Sequence, residues 1–73
     1  MDKKEQLLDI LSTIFEKEID ETCSSETEDL WDSMMHIQII VTVEEEFGIT
    51  IPQDKIAELK SVEKLLEMIN KLC

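Results

Sequence analysis

Ser33 is the side chain whose surroundings point most clearly to chemistry. It follows Asp32, a good helix N-cap, and begins a largely apolar segment that ends at Gly48, a good helix stop. The sequence therefore predicts that Ser33 opens a helix with its hydroxyl facing water. Free backbone N–H groups and the positive end of the helix dipole favour an anion there, so this serine is a suitable place to carry a phosphate group.

The remaining reactive side chains do not form a catalytic or metal-binding pattern. His36, the single histidine, lies three residues after Ser33 on the same predicted helix, so the sequence offers no Ser-His-Asp arrangement with a separate base and orienting residue. We interpret His36 as a partly buried, hydrogen-bonded side chain. The acidic residues 44–46 lack the alternating spacing of a calcium loop. Cys23 and Cys73 form no CxxC pattern, so we expect free thiols and no zinc site. We predict that the chain is not an enzyme and binds no metal.

Apolar residues at helical spacing predict three main helices and one short helix. The main helices cover about residues 3–18, 33–47 and 62–72, and the short helical turn lies within residues 53–58. The fold class expected from this pattern is all-α, a small four-helix bundle. The stripes of the first and last helices contain Leu7, Leu8, Leu11, Ile14, Phe15 and Ile19, and Val62, Leu65, Leu66, Ile69 and Leu72.

Capping residues mark where the other helices begin. Asp2 and Glu5 form a capping pattern before the first helix, and Ser61 is placed to cap the last one. For the short helix, which follows an extended link ending at Pro52, Asp54 is the possible cap. These signals predict how the chain enters each helix.

A long loop delivers the chain to the Asp-Ser pair. Residues 20–29 contain no large aliphatic side chain, which is typical of a loop. Leu30 and Trp31 follow, and we expect them to anchor the end of the loop against the bundle. A packing role is the favoured interpretation of Trp31, and contact of its indole with a partner or with a group on Ser33 is the alternative.

The second helix has apolar residues on two opposite faces. The face expected to enter the core holds His36, Ile39, Ile40, Val43 and Phe47. The opposite face holds Met34, Ile37 and Val41, with Gln38, Glu44 and Glu45 around it. Either this second face is an exposed surface for a partner, or the helix is buried on all sides. The pattern leaves both possibilities open.

Composition and charge restrict the class of partner. The chain has 73 residues, 18 acidic against 7 basic, and a formal net charge of -11, so we expect one domain over residues 1–73 and a monomer. Negative charge repels phosphate backbones and anionic lipids, which argues against nucleic acid and membrane surfaces, and it complements a basic protein surface. No signal peptide or membrane-spanning run is recognisable, and the predicted location is cytoplasmic.

The pattern as a whole resembles the acyl carrier proteins, including their aminoacyl and peptidyl relatives. The resemblance covers nearly the whole chain and is strongest over residues 29–52, where Asp-Ser-Met, Glu-Glu-Glu-Phe-Gly and Ile-Thr-Ile-Pro stand at the spacing of the family. Val62, Ile69 and Asn70 continue it.

This resemblance implies a cofactor and partners. Ser33 would be the attachment point of 4'-phosphopantetheine, joined through a phosphodiester by a separate phosphopantetheinyl transferase that uses coenzyme A and magnesium. Asp32 would cap the helix and take part in transferase recognition. The thiol of the arm would hold the cargo as a thioester for loading ligases, synthases or transferases with basic docking surfaces.

The resemblance also implies the surface that these enzymes recognise. The family fold is a four-helix bundle with a short third helix, and its second helix is the recognition helix. Met34, Val41, Glu44 and Glu45 match contact positions of that helix.

Departures from the family pattern concern the subtype. The fatty-acid type usually has a Gly before the Asp-Ser pair and an acidic residue soon after it, whereas here the preceding segment is one residue shorter, Met35 follows Met34, and Gln38 replaces a usual Glu. These departures argue against a role as the carrier for the general fatty-acid synthase. The Leu-Trp-Asp-Ser spacing is closer to D-alanyl carriers and to dedicated carriers of specialised pathways. An unmodified acidic helical interaction module is the alternative function.

Overall fold

Four helices make up the regular structure of a computed structural model that describes residues 2–73. They are α1 (Lys3–Phe15), α2 (Ser33–Phe47), α3 (Gln53–Ile56) and α4 (Val62–Leu72). Within residues 2–73 there is no strand, only an isolated antiparallel bridge between Ser24 and Ser61. The all-α prediction, with three main helices and a short one, is confirmed. None of these helices combines the length and apolar character needed to cross a membrane within the described chain.

The three main helices begin with the predicted caps. The carboxylate of Asp2 accepts the backbone N–H of Glu5 at 2.8 Å, and Ser61 Oγ accepts that of Lys64 at 3.1 Å. Asp32 caps α2 in the same way, because its side chain accepts the backbone N–H of Met35. Each such cap stabilises its helix by about 1 kcal/mol, which fixes where the helices start.

The prediction that Asp54 caps α3 is wrong. The helix begins one step earlier, after Pro52, which makes no side-chain cap, and Asp54 lies inside its first turn. The backbone N–H of Lys55 bonds to the Pro52 carbonyl at 2.9 Å, so the rigid proline starts the turn by itself.

The first helix is shorter than predicted. It ends at Phe15 because Glu16 adopts a left-handed conformation (φ 56°) that reverses the chain, although the apolar spacing continues to Ile19. Ser12 supports this reversal, since its hydroxyl accepts the backbone N–H of Ile19 at 3.1 Å. Ile19 is therefore buried as predicted, but it enters the core from the loop. At the end of α2, Gly48 takes the same conformation (φ 64°), as its position predicts.

The core lies where α1 packs against α2 and α4. Its buried apolar residues are Leu7, Leu11, Phe15, Ile19, Trp31, Ile39, Ile40, Val43, Ile51, Leu59, Val62, Leu65 and Ile69. Leu72 was predicted in the buried stripe of α4 but is exposed, because it occupies the last turn of that helix beyond the core. Most of the predicted stripes therefore do enter the core.

The loop before α2 is fastened at both sides. Backbone hydrogen bonds from Ser25 N–H to the Lys60 carbonyl (2.8 Å) and from Val62 N–H to the Cys23 carbonyl (3.0 Å) join it to the start of α4. On the other side, Lys17 Nζ lies 2.6 Å from a carboxylate oxygen of the buried Glu28. Hydrogen bonds from Lys17 and from the Leu30 N–H lower the pKa of Glu28 below its ordinary range, so this carboxylate is held charged.

Two hydrogen bonds tie Trp31, α2 and α3 together. The indole of Trp31 is buried, packs against Phe15 with ring centroids 5.8 Å apart, and donates Nε1–H to His36 Nδ1 at 3.0 Å. Because Nδ1 accepts, the ring proton is on Nε2, which donates to the Ile56 carbonyl at 2.7 Å. The packing role of Trp31 and the hydrogen-bonded state of His36 are confirmed. Leu30 was predicted to anchor the loop with Trp31, but it is about half exposed, and of the two only Trp31 enters the core.

We predict that His36→Leu destabilises the domain by about 1–3 kcal/mol, because it leaves the buried indole N–H and the Ile56 carbonyl without a partner. Urea unfolding followed by circular dichroism measures this loss. Gln38→Leu, which introduces the same side chain at an exposed position of α2, is the matched control and should change stability by no more than about 0.5 kcal/mol.

A double variant isolates the Trp31–His36 hydrogen bond. Trp31→Phe combined with His36→Leu should cost less than the sum of the two single changes, since the orphaned indole N–H is then gone. An unfolding free energy of His36→Leu equal to that of the unchanged protein would contradict the structural role of this pair.

Candidate functional site

Ser33 stands exposed at the first position of α2, where backbone donors are free. Asp32 is extended, its side chain accepts the backbone N–H of Met35 at 2.9 Å, and its carbonyl accepts that of His36 at 2.8 Å. The N–H groups of Ser33 and Met34 have no acceptor among residues 2–73. An exposed hydroxyl beside two free N–H donors and the positive end of a helix is suited to carrying an anionic group.

The segment that carries Ser33 is fixed on both sides. Trp31, two residues earlier, is buried, and His36, three residues later, is buried too and bonded to that indole. Between these anchors Asp32 and Ser33 are exposed. The backbone is therefore held while the Ser33 side chain stays accessible to another protein.

An open cleft of about 670 Å³ lies beside Ser33, between the start of α2 and α3. Its volume falls within the range of about 300–1,000 Å³ that small-molecule sites occupy. Among the residues that line it are Trp31, Asp32, Ser33, Ile37, Gln53, Ile56, Ala57 and Lys60. The cleft leaves room for a flexible group attached to Ser33.

The two faces of α2 differ sharply in exposure. His36, Ile39, Ile40 and Val43 are at most 5% exposed, whereas the opposite face is open to solvent. We call that open face, a candidate surface for a partner, the docking stripe; it consists of Met34 (85% exposed), Ile37 (55%) and Val41 (46%). Phe47, predicted on the core face, is half-buried. The structure thus rules out the alternative in which α2 is buried on all sides.

The polar residues predicted around the docking stripe are only partly free. Gln38 and Glu45 are exposed, but Glu44 is half-buried and its carboxylate accepts the backbone N–H of Ile51 at 2.7 Å. Glu44 therefore also holds the extended link that follows α2. Sequence analysis missed this role because it depends on how the chain returns after Gly48.

Negative charge is concentrated in the loop and α2. Residues 18–46 contain ten acidic side chains and no lysine or arginine, and the remainder of the chain is nearly balanced. The docking stripe therefore lies in the most acidic part of the molecule. Such a field attracts a basic partner surface and orients it during encounter.

Sequence analysis did not predict where Lys60 and Leu30 lie relative to Ser33. Lys60 lines the cleft with Ser33 although it is distant in sequence, and Leu30 adds an exposed apolar side chain (49%) near the start of α2. No local pattern could have found Lys60, because its position depends on the tertiary fold.

Other reactive groups do not form a second site in the described part of the chain. Residues 2–73 contain no cluster of three or more side chains placed to hold a metal ion. Both cysteines are free, and burial raises the pKa of the Cys23 thiol, which makes it a poor nucleophile.

Comparison with known proteins gives the family. Residues 5–69 match the family model described as phosphopantetheine attachment site. An acyl carrier protein of Thermosynechococcus vestitus is 41% identical over 39 residues, which cover 53% of this chain and 48% of that protein. The solution structure of holo acyl carrier protein from Geobacter metallireducens superposes with a TM-score of 0.83 at 25% identity, covering 99% of this chain and 86% of that one.

These findings agree with the geometry of the site. The family-model match spans most of the chain, and the structural match includes all four helices. The cofactor of such proteins is a covalently attached 4'-phosphopantetheine, and the proteins are carriers rather than catalysts. The exposed serine, the free N–H donors and the adjacent cleft fit that group. The chain therefore belongs to the acyl carrier protein family.

Proposed function

We propose that Ser33 carries the phosphopantetheine arm and that the chain holds an acyl or aminoacyl cargo on it as a thioester. The observation that carries this proposal is the exposed Ser33 hydroxyl at the start of α2, beside two free N–H groups and inside the matched attachment-site segment. The whole chain, residues 1–73, would act as one monomeric carrier domain in the cytoplasm.

The neighbours of Ser33 position its hydroxyl but do not activate it. His36 uses both ring nitrogens, one toward Trp31 and the other toward Ile56, and the Asp32 carboxylate caps α2. Neither His36 nor Asp32 is therefore free to take the Ser33 proton. A phosphopantetheinyl transferase must supply that base, and it would recognise the Asp32-Ser33 pair at the exposed start of the helix.

Partner enzymes would dock on α2. The acyl carrier protein family works with a phosphopantetheinyl transferase and with biosynthetic enzymes. We propose that loading ligases, synthases or transferases with basic surfaces contact the docking stripe, with Gln38, Glu44 and Glu45 at its edge. An exposed apolar stripe inside an acidic region supplies both contact area and charge complementarity.

The first part of α2 supports a dedicated rather than a general carrier. From Ser33 to Val43 it has no acidic residue, Gln38 is neutral, and the acidic residues start at Glu44. A partner would therefore make apolar contacts with Met34 and Ile37 near Ser33, and its basic groups would face the acidic residues that start at Glu44. We propose that such partners belong to a specialised biosynthetic pathway.

We predict that a broad-specificity phosphopantetheinyl transferase with coenzyme A and magnesium adds one arm to the purified chain and none to Ser33→Ala. Intact-mass spectrometry measures the addition. Ser25→Ala is the matched control, because Ser25 also lines the cleft and should leave the modification unchanged. A chain that neither its native transferase nor a broad one modifies would contradict the carrier function and favour an unmodified interaction module.

A second prediction tests the docking stripe. Val41→Asp should leave the fold intact and weaken transferase binding by roughly 1–3 kcal/mol, because it places a charge at an exposed apolar contact. Val43→Asp, two residues away and fully buried, should unfold the domain. Calorimetric titration and circular dichroism measure the two effects. Equal loss of folding in both variants, or unchanged binding by Val41→Asp, would show that the stripe is not a docking surface.

A further inference from the structure

Glu28 is the only acidic side chain that is buried within residues 2–73. It lies at the end of the acidic loop, shortly before the Asp32-Ser33 pair. Burial of a charged group is costly unless the group is paired and hydrogen-bonded, and the other carboxylates of this loop remain exposed. The burial of this one carboxylate therefore requires specific partners.

Both carboxylate oxygens of Glu28 have such partners. Oε1 lies 2.6 Å from Lys17 Nζ, and Oε2 accepts the backbone N–H of Leu30 at 3.1 Å. Lys17 is itself fixed to α1, because its backbone N–H bonds to the Ser12 carbonyl at 3.2 Å. The carboxylate thus connects the end of α1 to the backbone that leads into α2.

Glu28 also begins a tight turn, residues 28–32, which we call the entry turn. The backbone N–H of Trp31 bonds to the Glu28 carbonyl at 3.1 Å, and that of Asp32 bonds to the Leu30 carbonyl at 3.0 Å. Two of the three hydrogen bonds that form the turn therefore end on Glu28, one on its carbonyl and one on its carboxylate. The turn sets how the chain reaches Asp32, the cap of α2.

The first half of the entry turn depends on these polar contacts. Asp29 and Leu30 are exposed, so little apolar packing holds them, whereas Trp31 is fixed in the core. A transferase that modifies Ser33 must approach this segment. If only a fraction of the molecules hold the recognised turn, the apparent affinity falls by that fraction, because binding must then order the remainder.

We propose that Glu28 is a positioning residue for arm transfer, which holds the entry turn in the form that the phosphopantetheinyl transferase recognises. The proposal rests on attachment of the arm at Ser33. The two contacts of the Glu28 carboxylate are with Lys17 and the Leu30 N–H and not with Ser33. It therefore acts on recognition of the chain, which KM for the chain reports, and leaves the chemical step, which kcat reports, unchanged.

Steady-state kinetics of arm transfer from coenzyme A by a broad-specificity transferase test this role. The variant Glu28→Gln keeps the size of the side chain but loses the charge that pairs with Lys17. Glu26→Gln is the matched control, because it removes the same charge from an exposed position of the same loop. We expect KM for Glu28→Gln to be about three- to tenfold above that of the control, with kcat within about twofold, as for a competent fraction of about 10–30%.

A second variant separates positioning from electrostatic attraction. Lys17→Gln breaks the same ion pair from a half-exposed position, so the fold should tolerate it. It makes the chain more negative, and attraction to a basic transferase alone would therefore lower KM. The positioning role predicts the opposite, a raised KM. Lys64→Gln, an exposed lysine outside the ion pairs of the described chain, is the control and should not raise KM.

Amide hydrogen exchange of the unmodified chain measures the turn without the transferase. In Glu28→Gln the backbone N–H groups of Leu30 and Trp31 should exchange faster than in the unchanged protein, while those of Ile39 and Val43 in the buried face of α2 keep their protection. Circular dichroism shows that all variants are folded under the conditions of the assay.

Equal KM values for Glu28→Gln and Glu26→Gln, or a lowered KM for Lys17→Gln, would overturn the positioning role while attachment stands. Loss of protection along the whole chain would overturn it too, because Glu28 would then support the fold in general and not the entry turn. An unchanged protein that accepts no arm would instead refute the attachment at Ser33, and the positioning role with it.

Discussion

The structure depends on burial of one face of α2. Ile39, Ile40 and Val43 enter the core from this helix, and burying each such side chain contributes about 1.5–3 kcal/mol. Because this face holds the helix in place, the opposite face can remain exposed and apolar at Met34, Ile37 and Val41 without loss of the fold. A single helix thereby serves both the core and the surface that a partner would meet, and its first residue is Ser33.

A buried polar pair connects this helix to the cleft. The short helix α3 has no buried residue and no side-chain cap, so it contributes little to its own stability. The hydrogen bond from His36 to the Ile56 carbonyl holds its end, and the indole of Trp31 satisfies the other nitrogen of the same ring. The same three groups border the space beside Ser33. The wall of the cleft is thus built from interactions that also keep the carrier folded.

Local signals in the sequence predicted much of this architecture. The caps Asp2, Asp32 and Ser61 and the stop at Gly48 depend on neighbouring residues alone, so the starts of the three main helices and the end of α2 were correct. The end of α1 was not, because apolar spacing continues past the left-handed Glu16.

Features that depend on tertiary structure were less predictable. The helical periodicity of α2 did not show whether its second apolar face is exposed or buried, because the packing of the other helices determines that exposure. The place of Lys60 beside Ser33 has no sequence signal, because it results from the packing of the α3–α4 connection against the loop.

The central claim is that α2 divides its faces between the core and a partner, with Ser33 at the end that the partner reaches. The most direct test is a titration of the ¹⁵N-labelled chain with a phosphopantetheinyl transferase in the absence of coenzyme A, followed by amide chemical shifts. The account predicts that the largest changes fall on residues 33–41, with smaller ones at the cleft. Changes centred on α1 and α4, with α2 unaffected, would contradict it.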